Sequence, residues 1–290
     1  MANRHADSED RTTLGRTALA VALATGVAGA GLLAAELREE TVAAWERYLA
    51  ATEQRVAAEL DDGERFLVVD FHEEAARLRR EALAGNVVVE SMRTLDERGE
   101  RIRVPKGSIN HLLGVVLVPN AKLNDVLDGL QYDVPPHELQ EDVLDSRILS
   151  RDGDTFELYV RVDLNAPMAS AQFNMEQRVE YVRPGGDRAW SRIVGTRIAE
   201  LEDPGTPNER EKPIGNDSGY LWRLSLFWRY EQVDSGVLVE SEQLSLSRGI
   251  PALARVFLAP IINGAPRDAL EKTLRSVAEH FGSAAPTDGG

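Results

Sequence analysis

From about Asp217 to Phe281 the chain sets a packing problem with few solutions. Two strand-like runs, Tyr220–Tyr230 and Gly236–Ser247, meet across an Asp234-Ser235 turn. A break marked by Pro251 and Pro260 follows, and then a segment, Arg267–Phe281, with Leu270, Leu274, Val277 and Phe281 spaced four, three and four apart. Alternation at period two belongs to strands, and this second spacing to a helix with one apolar face. Such a helix must bury that face, and the large apolar surface on offer is the concave side of the preceding sheet. A helix laid across a curved antiparallel sheet encloses either a solid bed of side chains or a hollow.

The preceding sequence supplies that sheet. Ile109–Val118, Val143–Ser150, Thr155–Asn165, Met168–Val182 and Arg188–Glu202 read as strands separated by turn signals such as Arg151-Asp152-Gly153 and Pro184-Gly185-Gly186. Phe156, Leu158, Val160, Val162 and Leu164 alternate cleanly on one face. Asn120 is placed as the N-cap of a helix running to Leu130. Upstream, Glu36–Leu60 reads as a helix stopped by Asp61-Asp62-Gly63, Phe66–Phe71 as a short strand, and His72–Ala84 as a helix. Asn86–Met92 reads as a strand with a hairpin partner at Arg101–Val104. The expected division is residues 1–35, 36–107, 108–282 and a frayed tail at 283–290. Runs of strands bracketed by helices make the fold class α+β, with an antiparallel sheet around the C-terminal helix.

Three stretches resemble the START-like superfamily, also called SRPBCC or helix-grip. They are GVVLVPNAKLNDVL at 114–127, DSRILSRDGDTFELYVRVD at 145–163 and LWRLSLFWRYEQVDSGVLVESEQLSLSRGIP at 221–251. The last also resembles uncharacterised exported bacterial members. The resemblance spans roughly Ile109–Phe281. It implies a seven-stranded antiparallel sheet gripping the C-terminal helix, with a hydrophobic ligand between them.

Trp222, Leu224, Leu226, Trp228 and Tyr230 alternate on one strand face. Plain core packing accounts for them. So does a cavity wall, where Trp and Tyr combine apolar area with a polar tip. With the turn at Asp234-Ser235, Trp228 falls opposite Ser241 and Leu226 opposite Gln243, large residues facing small polar ones. A one-residue slip would invert both faces. The same turn sets Arg229 opposite Glu240, expected as a solvated cross-strand pair. Phe156, Leu158 and Val160 from another strand, and Phe257, Ile261, Leu270, Leu274 and Val277 from the C-terminal helices, complete the expected lining. The expected gates are the Asp203–Gly215 loop and the Arg248–Pro266 break.

The motifs of catalysis are missing. His72-Glu73-Glu74-Ala75-Ala76 lacks the second histidine of a zinc-protease helix, and there is no Gly-x-Ser-x-Gly elbow, Walker loop or dinucleotide fingerprint. No metal or cofactor is expected. His111 reads as a hydrogen-bonded core histidine; its meeting a carboxylate or arginine inside the cavity would favour a cyclase, dehydrase or hydrolase on the same scaffold. A collapsed cavity would favour an envelope interaction module.

The net charge of −15 argues against nucleic acid and against docking on anionic lipid. The absence of cysteine excludes disulfides, thiolate metal sites and a lipoprotein anchor. Thr17–Ala35 carries no charged residue, follows Arg11 and Arg16, and offers Ala28-x-Ala30 and Leu33-x-Ala35 as small-residue cleavage sites. Export to a periplasmic or secreted location is expected, with a retained N-terminal anchor as the alternative. Membrane contact is expected only through that segment if it stays uncleaved.

Overall fold

The computed structural model describes residues 35–166, 169–249 and 252–282; the side chains at 165, 166, 169 and 252–263 fall outside that description. The elements are α1 (Glu39–Leu60), α2 (Ala75–Leu83), β1 (Val88–Ser91), β2 (Gly107–Pro119), α3 (Leu123–Asp128), α4 (Pro136–Leu139), β3 (Val143–Asp152), β4 (Thr155–Ala166), β5 (Ala169–Gly185), β6 (Arg188–Glu202), β7 (Arg223–Val233), β8 (Gly236–Arg248) and α5 (Ala252–Gly282). The strands run in the order β1-β2-β8-β7-β6-β5-β4-β3, all neighbours antiparallel, and Arg210–Glu211 pairs off β6 as a short ninth strand.

The β7–β8 hairpin fixes the register on which the faces depend. Val233 pairs with Gly236, so the turn is Asp234-Ser235, and Leu226 faces Gln243, Trp228 faces Ser241 and Arg229 faces Glu240 as expected. The inner face carries Leu112, Val116, Leu226, Trp228 and Val239, and α5 closes it with Leu270, Leu274 and Val277, each at most 1% exposed. Helix and β2 come into close contact at Gly114. A Cβ there would stand 2.5 Å from Leu274 Cδ1 and 3.1 Å from Leu270 Cδ2. This α+β architecture, a curved antiparallel sheet around a C-terminal helix, is the helix-grip fold.

The outer face departs from expectation. Over β2, β7 and β8 it is covered by the segment before Gly107, so those strands are buried on both sides. Phe66, Leu67, Leu78 and Ala82 pack on Leu113, Val115 and Leu238; Trp45, Tyr48 and Val56 of α1 pack on Phe227, Leu244 and Leu246. On β4, by contrast, the buried Phe156, Leu158 and Val160 alternate with half-exposed residues, as in a strand covered on one side.

Four local expectations fail for identifiable reasons. Val68–Phe71 is a 3₁₀ turn rather than a strand, because carboxylates take its backbone donors: Asp70 accepts from Leu67 N at 3.0 Å, and Glu240 from Val68 N and Val69 N at 2.7 and 2.9 Å. Val88–Ser91 pairs with β2, and its expected partner contributes only the isolated Leu95–Arg101 bridge. Asn120 sits at φ +58°, and the residue capping α3 is Lys122. Finally, α5 runs unbroken through Pro260 and Pro266, each of which removes one backbone bond without ending the helix.

Gly114→Val is expected to destabilise the protein by about 1–3 kcal/mol, the usual cost of overpacking, read as a lower urea midpoint at unchanged m-value. A neutral result would mean that α5 rides up freely, against the close approach described.

Candidate functional site

Two features of the sheet concentrate chemistry, one on each face. On the inner face a cavity of about 360 Å³ separates the sheet from α5. Phe156, Leu158, Tyr181, Trp228 and Tyr230 form its sheet wall, Thr273 and Val277 its helix wall. The third wall comes from the connection between α3 and β3. Gly129–Asp133 forms one π turn, and with Pro135, Pro136 and Leu139 it brings Leu130, Gln131 and Tyr132 to the rim. This connection is tied down by Gln131, which donates to Asp154 Oδ1 at 2.8 Å and accepts from Arg183 at 2.5 Å, and by the Phe281 ring packed on Gly129. Tyr132 and Ile148 are about half exposed where the cavity opens.

The aromatic residues can share one wall because their cross-strand neighbours are small. Trp228 lies between Ser191 and Ser241, and Tyr230 has Ala189 on β6. The Tyr230 hydroxyl lies 3.5 Å from Ser191 Oγ. Burial pushes the Tyr181 phenol up to about 12 and that of Tyr230 well above the usual tyrosine value, so both are neutral donors at physiological pH.

Of the residues expected at the site, Phe156, Leu158, Trp228, Tyr230 and Val277 line the cavity. Val160, Leu226, Leu270 and Leu274 pack in the surrounding inner core, with Leu224 half-buried at its margin. Ser241 and Gln243 keep their register positions but are not part of the lining. Trp222 does not join them. It precedes β7, packs on the outer face with Trp45 and Phe227, and donates its indole N–H to Asp217 at 3.0 Å. Phe257 and Ile261 fall where side chains are not described. The Asp203–Gly215 loop contributes no described lining residue. Sequence reasoning missed Tyr181 and Ile193, although Phe173, Met175, Val179 and Tyr181 alternate on β5. It also missed the Leu130–Gln140 rim, which has no periodic signal. A broader groove of about 480 Å³ between the start of α1 and Ile214–Asn216 is open to solvent and carries Glu36, Glu39 and Glu46.

On the outer face a polar seam is sealed beneath α1. His111 is 5% exposed; its Nδ1 lies 2.9 Å from the Tyr48 hydroxyl and its Nε2 2.5 Å from Glu242 Oε1. Arg55 bridges Glu242 and Glu59, and Glu59 meets Arg229 at 2.6 Å. Arg229, 1% exposed, also donates to the Phe66 carbonyl at 2.7 Å. The expected solvated Arg229–Glu240 pair is therefore replaced by buried charges with partners far along the chain. Burial opposes ionisation of Glu242, but the hydrogen bond from His111 and the charge of Arg55 outweigh it and lower its pKa. For Glu240 burial wins over Arg229 and the two backbone donors and lifts its pKa to about 7. His111 and Glu242 do meet, but on the side of the sheet opposite the cavity.

No protein-family model and no curated protein matches the chain. Solved structures similar to it include a STAR-related lipid transfer protein from Xanthomonas axonopodis, at 16% identity over 60% of this chain and 96% of that one, TM-score 0.38. Zhui aromatase/cyclase from Streptomyces sp. R1128 is 13% identical over 63% and 99%, TM-score 0.38. Human STARD10 is 11% identical over 76% and 84%, TM-score 0.39.

A carboxyl whose folded pKa is raised binds extra protons in the native state, so its contribution to stability falls as pH rises through that window. For Glu240 the window runs from the ordinary carboxylate value of 4.5 to about 7. Unfolding free energy measured at pH 5, 6, 7 and 8 is expected to decline more steeply with pH in the native protein than in Glu240→Gln. Equal slopes would contradict the assignment.

Proposed function

We propose that this chain is a binding protein for a hydrophobic small molecule held between the inner sheet face and α5. The observation that carries the reading is the cavity of about 360 Å³, walled by aromatic and aliphatic side chains and opening between Tyr132 and Ile148. Apolar ligand surface leaving water there contributes roughly 25 cal/mol per Å², and the few polar wall groups fix orientation. Entry runs past the Leu130–Gln140 connection, held at its start by α3, Phe281 and Gln131 and near its far end by the His137–Ser146 hydrogen bond at 2.7 Å. We extend the proposal to location: the charge-free Thr17–Ala35 stretch directs export, cleaved or retained as an anchor.

The test is recovery of the protein from its native envelope followed by native mass spectrometry. An adduct that leaves on denaturation is expected, together with a chain mass that reports whether the first segment is present. Leu158→Trp, which fills the cavity from its sheet wall, is expected to weaken ligand binding at least tenfold at a stability cost within the overpacking range of about 1–3 kcal/mol. Recovery without adduct, with no thermal shift across a panel of apolar compounds, would overturn the reading.

A further inference from the structure

The two ends of the main sheet are unlike. At one end β1 is four residues long, and its Val89 carbonyl accepts from Arg267 of α5. At the other end β3 runs for ten residues, and among the described residues only β4 pairs with it. The side of β3 away from β4 is a template for another strand. Leu144, Ile148 and Leu149 are 48%, 47% and 47% exposed along it. Leu144 and Leu149 stand at the two irregularities of the β3–β4 register and have no partner on β4.

Charge identifies what fits this edge. Proteins commonly guard an open edge with charges that repel a second strand. Here Asp145 and Arg147 carry opposite signs, 3.2 Å apart, with side chains 52% and 57% exposed. The Tyr159 ring lies 3.8 Å beneath the Arg147 guanidinium and holds it in place. An antiparallel copy of the strand, placed about a twofold axis at Ser146, sets each Asp145 against the other Arg147. Four charges then close a ring of alternating sign, and opposite charges facing each other across strands are favourable. The same register sets Leu144 against Ile148 in both directions. Moving the axis by one residue puts Asp145 against Asp145, or Arg147 against Arg147. A patch that complements itself about an axis is what an isologous twofold contact requires.

We propose that β3 is the contact strand of a weak homodimer, pairing antiparallel with β3 of a second copy about Ser146. Because Ile148 also lines the cavity, the second copy would stand beside its mouth. A single strand edge makes a small, reversible contact, so the test is sedimentation equilibrium on the full chain up to about 100 µM. The native chain is expected to dimerise. Asp145→Arg and Arg147→Asp each act twice across the axis, and each is expected to raise the dissociation constant at least about tenfold. Mixed in equal amounts, the two variants regain opposite charges at both pairs and are expected to form a heterodimer of near-native strength. A native chain that stays monomeric throughout would overturn the proposal. So would a dimer that both variants retain, since its contact would lie elsewhere. So would a loss that mixing does not repair between variants of native circular dichroism.

Discussion

The arrangement depends on how closely one helix approaches one strand. At Gly114 nothing but backbone separates α5 from β2, and Leu270 and Leu274 rest directly on it. Further across the sheet, at Trp228, Tyr230 and Phe156, large rings hold the two layers apart. Contact at one edge and separation at the other turn the helix into a tilted roof. The hollow is thus a consequence of side-chain size placed in register: a residue without a side chain on β2, serines and an alanine next to the rings, and indole and phenol where the gap opens.

Much of this was legible in the chain. The turn at Asp234-Ser235 fixed which residues of β7 and β8 oppose each other, and the alternation in Thr155–Asn165 and the four-three-four spacing of the last helix named the inner face. Trp222 shows where alternation stops being a guide: the pattern continues one position beyond the strand, but the backbone does not, and the indole follows Asp217 to the other side. Glu240 misleads for a different reason. Set opposite Arg229 it reads as half of a solvated pair, yet it accepts from Val68 N and Val69 N, and its neighbour on the same face, Glu242, takes Arg55 and His111. Those lie so far along the chain that no local pattern announces them. The rim from Leu130 to Gln140 was illegible because a π turn and two prolines obey no period.

The seam under α1 gives the N-terminal layer its specificity. Charges sealed between layers gain little net stability, since desolvation offsets attraction. They do penalise every arrangement in which Arg229, Glu59 or Glu242 loses its partner. Apolar contacts at Trp45 and Phe66 supply adhesion, and the polar seam dictates where α1 lands.

Because α1 and the Phe66–Ala82 segment cover only part of the sheet, the molecule is clamped along one flank and single-walled along the other. Amide hydrogens of β2, β7 and β8 lie between two packed layers, where exchange is expected to be slowest. Those of β3, an edge strand with Ile148 and Leu149 half exposed, can open by local breathing. The cavity therefore sits on the boundary between a stiff half and a pliant half. On the binding reading proposed above, a guest would enter by the pliant side alone, while the flank that sets the register of the rings stays fixed.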